Sequence, residues 1–432
     1  MPQQTYTITK NEKNNNNFTY PQYQNNNISN IPDLLKEIFE LNNKTQNTQN
    51  KYITEKTATK QNKKVVLIIM DGFGYNQFLK HHKKNPFLTK LTNRGIVQSL
   101  ASVFPSQTTN ALTTLNTGLT PQEHGIFEYF IYLKNIGIIN ALKFERINTN
   151  TKNNLIKEGY NPNSLLLKGK TIYNTLNENG IKTFTHTNIT NAFNACSKII
   201  FQGSTITPSL KIADTIVSLR KNLEENKNNS AYFFVHLDTL DTIAHEYGPN
   251  SYQYCAELSV ITYLLNKELV QKLDPKTAKD TLLLLTADHG SVNVDINRTI
   301  YLPKTSPLHM QIGEDQKPIP PTGSPREIFL HIKNEKLDEA KQWLIRKIGD
   351  KAQIIETKEA AEMGLFGVGK ASDEFLERTG NLLILPYNNE TIWFENSNEK
   401  ITYLGQHGGL NKHEMLVPFS VANLRNLKEK TV

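Results

Sequence analysis

The stretch Val65-Val-Leu-Ile-Ile-Met-Asp71-Gly-Phe-Gly74 decides the fold class of this chain. It is an apolar run of strand length that ends in a carboxylate and a glycine-rich turn. A continuous apolar run predicts a strand that is buried on both faces, as in a parallel sheet. Ligands of open α/β sheets bind beyond the carboxyl ends of the strands, so Asp71 lies where a metal or a phosphate would bind. A single Asp at a strand end is also commonly no more than a cap for the following turn.

Strand-like and helical patterns alternate along much of the chain. Further strands are predicted over 96–104, 181–187, 231–237 and 281–286, and helices over 75–94, 108–118, 170–180, 209–224 and 251–272. Such alternation is typical of a parallel sheet that is covered by helices on both faces. The sequence therefore predicts the α/β class, with a doubly wound and mostly parallel sheet.

The N-terminal part of the chain differs in composition from the rest. Residues 1–62 are rich in Asn, and we interpret them as an arm that carries a short amphipathic helix over 30–41. Residues 1–30 are expected to contribute little to the core, because polar segments bury little apolar surface. Residues 42–62 are expected to form a linker or an extended arm.

A second change of pattern occurs after the last predicted strand of the sheet. From about 291 to 400, short strands and helices surround a Pro- and Gly-rich connector over 317–323. This pattern predicts an inserted α+β lobe. The main domain is then formed by residues 63–290 and 401–432, which suits a chain of 432 residues.

The overall composition is that of an ordinary soluble protein, with 38% hydrophobic and 21% charged residues. The formal net charge of +8 favours anionic ligands. The lysines are scattered, however, as is typical of a solvated surface. No stripe of basic and aromatic residues predicts specific nucleic-acid binding. The composition names no further partner, and the sequence does not indicate an oligomeric state.

The cysteines and the N-terminus bear on the cellular compartment. The two cysteines, Cys196 and Cys255, are far apart and lack the spacing of a metal site. They fit a reducing cytoplasm better than a disulfide-linked secreted protein. No signal peptide is visible, and no run approaches the roughly 20 apolar residues of a membrane span. We therefore predict a cytoplasmic protein.

Carboxylates and imidazoles follow three of the predicted strands. They are Asp71 after the first strand, Asp238, Asp241 and His245 after 231–237, Asp288 and His289 after 281–286, and His407 in a glycine-rich turn near the C-terminus. Each residue alone is weak evidence, since single His and Asp residues are usually satisfied surface or core groups. Three strands that deliver such side chains to one sheet edge are much less expected by chance. The set therefore predicts a metal site at this edge.

The ligand types indicate the metals and the chemistry. Imidazoles and carboxylates without Cys suit Zn²⁺, with Mn²⁺ or Fe as alternatives. Seven groups exceed the needs of one four-coordinate ion and suit two metals about 4 Å apart, as in phosphoryl transfer. Thr108 is the best candidate for the nucleophile, because it would lie at a helix N-terminus that favours anions. A hydroxyl held by a dication loses its proton near neutral pH.

Six groups of short motifs occur in a fixed order over about residues 65–420. They are Met70-Asp71-Gly72, Phe104-Pro-Ser-Gln-Thr108 followed by Leu115-Asn-Thr-Gly118, Pro121-Gln-Glu-His-Gly125, Asp241-Thr-Ile-Ala-His245-Glu-Tyr-Gly-Pro249, Ala287-Asp288-His289-Gly290, and Gly405-Gln-His407-Gly408. In this order they resemble the type I phosphodiesterase/nucleotide pyrophosphatase family of the alkaline phosphatase superfamily. The tail over 409–418 is similar to its prokaryotic members.

The resemblance implies a hydrolase for phosphoric esters or anhydrides that uses two metal ions, with a small phosphoester substrate as the expected partner. It assigns Asp71, Thr108, Asp288 and His289 to one metal, and Asp241, His245 and His407 to the other. Thr108 would attack phosphorus and form a covalent phospho-threonine, which water would then hydrolyse. Asp238 matches no ligand position of the family, and we interpret it as a neighbour of the metal ligands or as structural. His124 matches a turn of the family, and we interpret it as structural too.

One position of the chain departs from the family pattern. Nucleotide pyrophosphatases of this family usually carry an Asn three residues after the nucleophile, where this chain has Ala111.

A phosphomonoesterase, a phosphonate hydrolase or a phosphomutase on the same scaffold is the main alternative function. A metal-binding protein without turnover is another. A sulfatase is disfavoured, because neither Cys196 nor Cys255 lies in the C/S-x-P-x-R context that those enzymes need.

Overall fold

The computed structural model describes residues 18–41, 63–147, 155–166, 168–303, 307–395 and 400–428. The expected linker over 42–62 and the first 17 residues of the arm lie outside these ranges. No helix within the described ranges is long and apolar enough to cross a membrane.

The strands are short, and several form small sheets outside the central one. In chain order they are β1 (Lys64–Met70), β2 (Ile96–Ala101), β3 (Phe130–Leu133), β4 (Gly137–Asn140), β5 (Glu145–Arg146), β6 (Lys182–Asn188), β7 (Thr205–Ser209), β8 (Ala231–Leu237), β9 (Thr281–Thr286), β10 (Val292–Asn293), β11 (Ile300–Leu302), β12 (Thr322–Ser324), β13 (Glu327–Leu330), β14 (Ala352–Glu356), β15 (Leu382–Pro386), β16 (Ile392–Phe394), β17 (Gly405–Gln406) and β18 (Leu416–Asn423).

The helices cover the central sheet and part of the lobe. They are α1 (Ile31–Ile38), α2 (Tyr75–His81), α3 (Pro86–Arg94), α4 (Thr108–Thr117), α5 (Pro121–His124), α6 (Ile172–Glu178), α7 (Ile189–Ala192), α8 (Ala195–Ile200), α9 (Ile212–Glu225), α10 (Thr239–Tyr247), α11 (Tyr252–Leu264), α12 (Pro275–Lys279), α13 (Leu337–Ile348), α14 (Thr357–Glu362), α15 (Asp373–Thr379), α16 (Lys412–Met415) and α17 (Leu424–Lys428). A π-helical segment, Leu265–Gln271, continues α11.

The central sheet has seven strands in the order β2-β18-β9-β1-β8-β6-β7. β1 pairs in parallel with both β8 and β9, and every residue of these three strands is buried. The continuous apolar runs of the sequence thus form strands that are covered on both faces. The predicted α/β class with a mostly parallel sheet is confirmed.

Two local features differ from the sequence prediction. The helix predicted over 75–94 is two helices, because Asn85 caps a new helix by accepting hydrogen bonds from the N–H groups of Phe87 and Leu88, and Pro86 occupies its first position. β18 was not predicted, since Pro418 and Ser420 interrupt its apolar pattern. It runs antiparallel to both β9 and β2.

The expectation that residues 1–30 contribute little to the core is wrong for the described part of this segment. Tyr23 and Ile28 are buried, and the Tyr23 hydroxyl donates a hydrogen bond to the carbonyl of Leu365 over 2.8 Å. Asn27 is also fully buried, and its amide donates to the carbonyl of Ser102 over 3.0 Å. The Asn side chains satisfy backbone groups here, which composition alone does not reveal.

The segment predicted as an inserted lobe contains a four-stranded antiparallel sheet in the order β12-β13-β15-β14, with α13, α14 and α15 around it. A buried ion pair anchors it, in which Arg326 donates two hydrogen bonds to Glu414 over 3.0 and 2.8 Å. Paired in this bidentate way, both charges are tolerated without exposure. The boundaries at 291 and 400, like those of the arm and the main domain, stay predictions.

Candidate active site

The three central strands bring the predicted residues to one edge of the sheet. Asp71 directly follows β1, and Asp288 lies two residues after the end of β9. α10 follows β8 and carries Asp241 and His245 one helical turn apart. Because β1 lies between β8 and β9, these side chains converge beyond its carboxyl end.

In each of the three histidines the Nδ1 atom faces a backbone carbonyl oxygen. The Nδ1 atoms of His245, His289 and His407 lie 2.8, 2.9 and 3.0 Å from the carbonyl oxygens of Gly405, Gly290 and Ser106. A carbonyl can only accept, so each Nδ1 carries the proton and each Nε2 presents a lone pair. This arrangement is typical of metal-binding histidines.

The Nε2 atoms of two of the histidines lie close together. Nε2 of His245 and Nε2 of His407 are 3.2 Å apart, and in neutral imidazoles with the proton on Nδ1 both atoms carry lone pairs. The rings of His289 and His407 are stacked with 3.7 Å between their centroids. Lone pairs held face to face repel each other, and a bound dication would turn this repulsion into attraction.

The carboxylates leave buried oxygens without hydrogen bonds. Oδ1 of Asp71, Oδ1 of Asp241 and Oδ2 of Asp288 have no hydrogen-bond partner among the described residues. Buried polar atoms are normally satisfied, so this cluster of exceptions requires an explanation. The residues present therefore fit divalent cations: the oxygens and the imidazole nitrogens form the donor set that Zn²⁺ prefers.

The ligand atoms fall into two overlapping groups. Those of Asp241, His245 and His407 lie within 4.8 Å of one another, and so do those of Asp71, Asp241 and His289. The first group equals the set that the family resemblance implies for one metal. Asp241 belongs to both groups.

Nε2 of His289 is the meeting point of the second group. It lies 3.0 Å from the hydroxyl of Thr108, 3.2 Å from Oδ2 of Asp288 and 3.5 Å from Oδ1 of Asp71. The other oxygen of Asp288 accepts hydrogen bonds from the N–H groups of Gly72 and His289. All seven predicted site residues are thus brought together at this edge of the sheet.

Two residues of the site have pKa values that are shifted towards their neutral forms. Burial, together with the charges of Asp288 and Asp241, raises the pKa of Asp71 well above its usual value. Burial and the neighbouring His289 lower the pKa of His407 well below its usual value. A dication would reverse the first effect and benefit from the second, since it favours ionised carboxylates and neutral imidazoles.

Thr108 is placed as the sequence predicts, at the first position of α4. The first N–H groups of a helix have no partner within it, so they face the position that a phosphate would occupy. Ala111 is fully buried in the apolar core and offers no polar group to that position. The amide of Asn110 donates to the carbonyl of Pro105 over 2.7 Å.

The two residues interpreted as structural have local partners. Oδ2 of Asp238 accepts a hydrogen bond from the side chain of Asn191 over 2.9 Å. His124 is fully buried; its Nε2 lies 3.1 Å from the hydroxyl of Thr114, and its Nδ1 accepts from the N–H of Ile126. Neither belongs to the two groups of ligand atoms.

His236 contacts the ligand set although the sequence did not predict it. His236 lies in β8, in register with Ile69 of β1, and its Nε2 is 2.9 Å from Oδ2 of Asp71. It fixes one oxygen of that carboxylate and leaves Oδ1 for a cation. The available signal was a polar residue near the end of the apolar run Ala231–Leu237.

We expect His236→Leu to weaken Zn²⁺ binding about 10–100-fold, as is typical when a partner of a metal ligand is lost. Calorimetric titration of the metal-free protein measures this effect. His186→Leu is the matched control, because His186 is a buried histidine of the adjacent strand β6 whose Nε2 faces Asn222 instead. Equal Zn²⁺ affinities in His236→Leu and the wild type would contradict the role of His236.

The model of the family described as type I phosphodiesterase / nucleotide pyrophosphatase matches residues 65–410. The chain belongs to this family. The matched region begins in β1 and ends just after His407, so it contains all the candidate site residues of this family member. The resemblance deduced from the sequence motifs is confirmed.

Relatives of this type I phosphodiesterase family member are distant. Venom phosphodiesterase CdcPDE of Crotalus durissus collilineatus is 26% identical over 247 residues, which cover 55% of this chain and 27% of that protein. Ectonucleotide pyrophosphatase/phosphodiesterase family member 1 of Mus musculus is 24% identical over 247 residues, which cover 55% of this chain and 25% of that protein. The chain therefore spans far less than the full length of these relatives.

Solved structures of the family share the fold. Murine ectonucleotide pyrophosphatase/phosphodiesterase 5 has a TM-score of 0.59 at 17% identity, covering 83% of this chain and 87% of that chain. The human protein of the same name has a TM-score of 0.59 at 18% identity, with the same coverage. An inactive threonine-to-alanine variant of the murine protein, solved in complex with AMP, also has a TM-score of 0.59.

Proposed function

We propose that this protein hydrolyses phosphodiester or pyrophosphate bonds of small phosphoesters through a covalent phospho-threonine at Thr108. The observation that carries the proposal is the hydroxyl of Thr108, which lies 3.0 Å from Nε2 of His289 at the first turn of α4. A nucleophile, a helix N-terminus and a set of metal-ligand atoms thus share one location. Family membership supports the same chemistry.

Asp71, Thr108, Asp288 and His289 would hold one divalent cation, and Asp241, His245 and His407 the other. Zn²⁺ suits this donor set best, and Mn²⁺ or Fe are the alternatives. When bound, the cations supply Lewis acidity that stabilises negative charge on phosphate oxygens and lowers the pKa of a hydroxyl. Oδ1 of Asp71 and Oδ1 of Asp241 are the buried oxygens that would then be satisfied.

The proposed reaction has two steps. The oxygen of Thr108 forms a bond to phosphorus as the bond to the leaving alcohol breaks; the threonine proton departs, and the alcohol oxygen gains one. Water then attacks the threonine phosphoester, the bond from phosphorus to Thr108 breaks, and the hydroxyl is restored. The N–H groups at the start of α4 would bind phosphate oxygens in both steps.

The substrate class follows less directly. The complex of the murine relative with AMP supports a nucleotide-type phosphate in this fold. Ala111 removes a side chain that nucleotide pyrophosphatases of the family usually have, and Asn110 is held by Pro105 and does not replace it. We therefore propose small phosphodiesters and phosphoanhydrides as the substrate class. Monoesters, phosphonates and phosphomutase substrates are the alternatives, and one panel of these compounds would compare them.

The cytoplasmic location also stays a proposal. Cys196 and Cys255 are both free thiols, which supports a reducing compartment.

Metal removal tests the proposed function. We expect prolonged dialysis against a chelator to abolish hydrolysis of bis(p-nitrophenyl) phosphate, and added Zn²⁺ or Mn²⁺ to restore it. Titration should saturate at about two ions per chain, as a two-metal site requires. Full activity after complete metal removal would contradict the proposal. Stoichiometric metal binding without turnover of any ester in a broad panel would favour a metal-binding protein instead.

A further inference from the structure

A pair of buried carboxyl groups lies beside the metal site, at the junction of the lobe and the main domain. Glu327 is the first residue of β13, and Glu128 precedes β3. Both residues are buried, with exposures of 0% and 1%, and the charge of Glu128 acts on Glu327. Among the residues that the structure describes, neither forms an ion pair, and Oε1 of Glu128 has no hydrogen-bond partner. Burial and the contact with Glu128 accordingly raise the pKa of Glu327.

Glu327 reaches the turn that carries the nucleophile. Its Oε1 accepts a hydrogen bond from Nε2 of Gln107 over 2.8 Å, and its Oε2 accepts one from the hydroxyl of Ser324 over 2.7 Å. Gln107 is the N-cap residue of α4 and directly precedes Thr108. The bond between Glu327 and Gln107 therefore restrains the backbone from which the Thr108 hydroxyl projects.

The same carboxyl group lies against the turn that carries His407. A Cβ atom added to Gly408 would come within 2.0 Å of Oε2 of Glu327 and 2.6 Å of Nε2 of Gln107. No side chain fits there, so Glu327 and Gln107 contact the backbone of Gly408 directly. The hydroxyl of Ser106 accepts a hydrogen bond from the N–H of Gly408 over 3.1 Å, which joins the two turns.

We propose that Glu327 is a positioning residue by which the lobe fixes the turns of Thr108 and His407. The effect on turnover rests on the proposed function, whereas the effect on metal affinity does not.

The chemistry of the pair favours this role over simple packing. Buried carboxyl groups are costly to desolvate, and an apolar residue would fill the same volume at lower cost. The carboxyl oxygens of Glu327 accept hydrogen bonds from Gln107 and Ser324. Through Gln107 and the close contact with Gly408, they restrain the two turns that carry site residues.

Two substitutions of Glu327 test the proposal. We expect Glu327→Ala to weaken Zn²⁺ binding and to lower kcat, each about 10–100-fold, with little change in KM. Glu327→Gln should stay close to the wild type, because its amide oxygen can accept from Gln107 and its amide nitrogen can donate to the hydroxyl oxygen of Ser324. Calorimetric Zn²⁺ titration and steady-state kinetics with bis(p-nitrophenyl) phosphate give the two readouts.

Arg378→Met is the matched control for general loosening of the lobe. Arg378 is buried and donates to the carbonyl oxygens of Gly125 and Leu165, away from both turns. We expect this variant to lose stability but to retain the Zn²⁺ affinity and the kcat of the folded protein. Equal losses in Arg378→Met and Glu327→Ala would overturn the positioning role.

Gln107→Leu breaks the same hydrogen bond from the other side and decides the matter if Glu327→Ala does not fold. It should reduce Zn²⁺ affinity and kcat to a similar extent as Glu327→Ala. The double variant should lose no more Zn²⁺ affinity and kcat than the more impaired of the two single variants. Unchanged Zn²⁺ affinity in Gln107→Leu, or additive losses in the double variant, would refute the proposal. If the wild type hydrolyses no ester, the proposed function fails, and Zn²⁺ affinity alone then tests the role of Glu327.

Discussion

Replacement of Thr108 by Ala is expected to lower hydrolysis of a phosphodiester by at least about 10⁴-fold, since it removes the attacking atom. The fold should persist, because Thr108 lies at the first position of α4 and its hydroxyl lies against Nε2 of His289, a residue of the site itself. Steady-state assays with bis(p-nitrophenyl) phosphate at saturating Zn²⁺ measure the loss. Mass spectrometry after rapid acid quench should detect a threonine phosphoester in the wild type and not in the variant.

Thr108→Ser is the matched control, because it keeps an oxygen at the same position. We expect it to retain activity within about 10²-fold of the wild type and to form the corresponding serine phosphoester. Unchanged activity in Thr108→Ala would remove Thr108 from the nucleophile role. A phosphoester at another residue would reassign it, while the metal site itself would stand.

The fold and most of the site could be predicted because strand ends are local features. The run before Asp71 and the run before Asp288 are predominantly apolar, and such runs fix both the burial of a strand and the position of its carboxyl end. Three parallel strands must then deliver their next residues to one edge. His407 was reached only through its glycine-rich motif, since no strand of the central sheet precedes it directly.

The rest depends on contacts between distant parts of the chain. His236 and Glu327 act through hydrogen bonds to residues of other elements, and neither position differs in pattern from an ordinary strand residue with a polar side chain. The arm was misjudged for the same reason. Asn27 is polar, yet its amide binds the carbonyl of Ser102 in the interior, and Tyr23 and Ile28 beside it join the core.

Replacement of Asp71 by Asn is expected to remove one cation and to lower hydrolysis by at least about 10³-fold, more than the loss of a single oxyanion donor costs. Asn has nearly the same shape, and its amide oxygen can still accept from Nε2 of His236, so the fold should persist. The Asn side chain is neutral, however, so it provides no negative charge to bind a dication. Metal analysis after gel filtration should give about one ion per chain in place of two.

Asp238→Asn is the control for Asp71→Asn, because it removes a carboxylate from the same edge of the sheet. The side chain of Asn191 donates a hydrogen bond to this carboxylate. We expect this variant to keep its metal content and its activity. Full metal occupancy in Asp71→Asn, or equal loss in both variants, would contradict the role of Asp71 as a ligand.

Thermal unfolding gives a second, activity-independent test of Asp71. Its pKa is raised in the folded state, first by burial and then by Asp288 and Asp241, so the metal-free wild type loses stability as pH rises from the ordinary Asp range towards this raised pKa. Metal-free Asp71→Asn lacks this loss and should be the more stable protein at pH 7. The order should reverse with Zn²⁺, since ligand at 100 times its Kd stabilises the wild type by about 2.7 kcal/mol. An Asn variant that is less stable than the wild type without metal would indicate that Asp71 is a structural carboxylate.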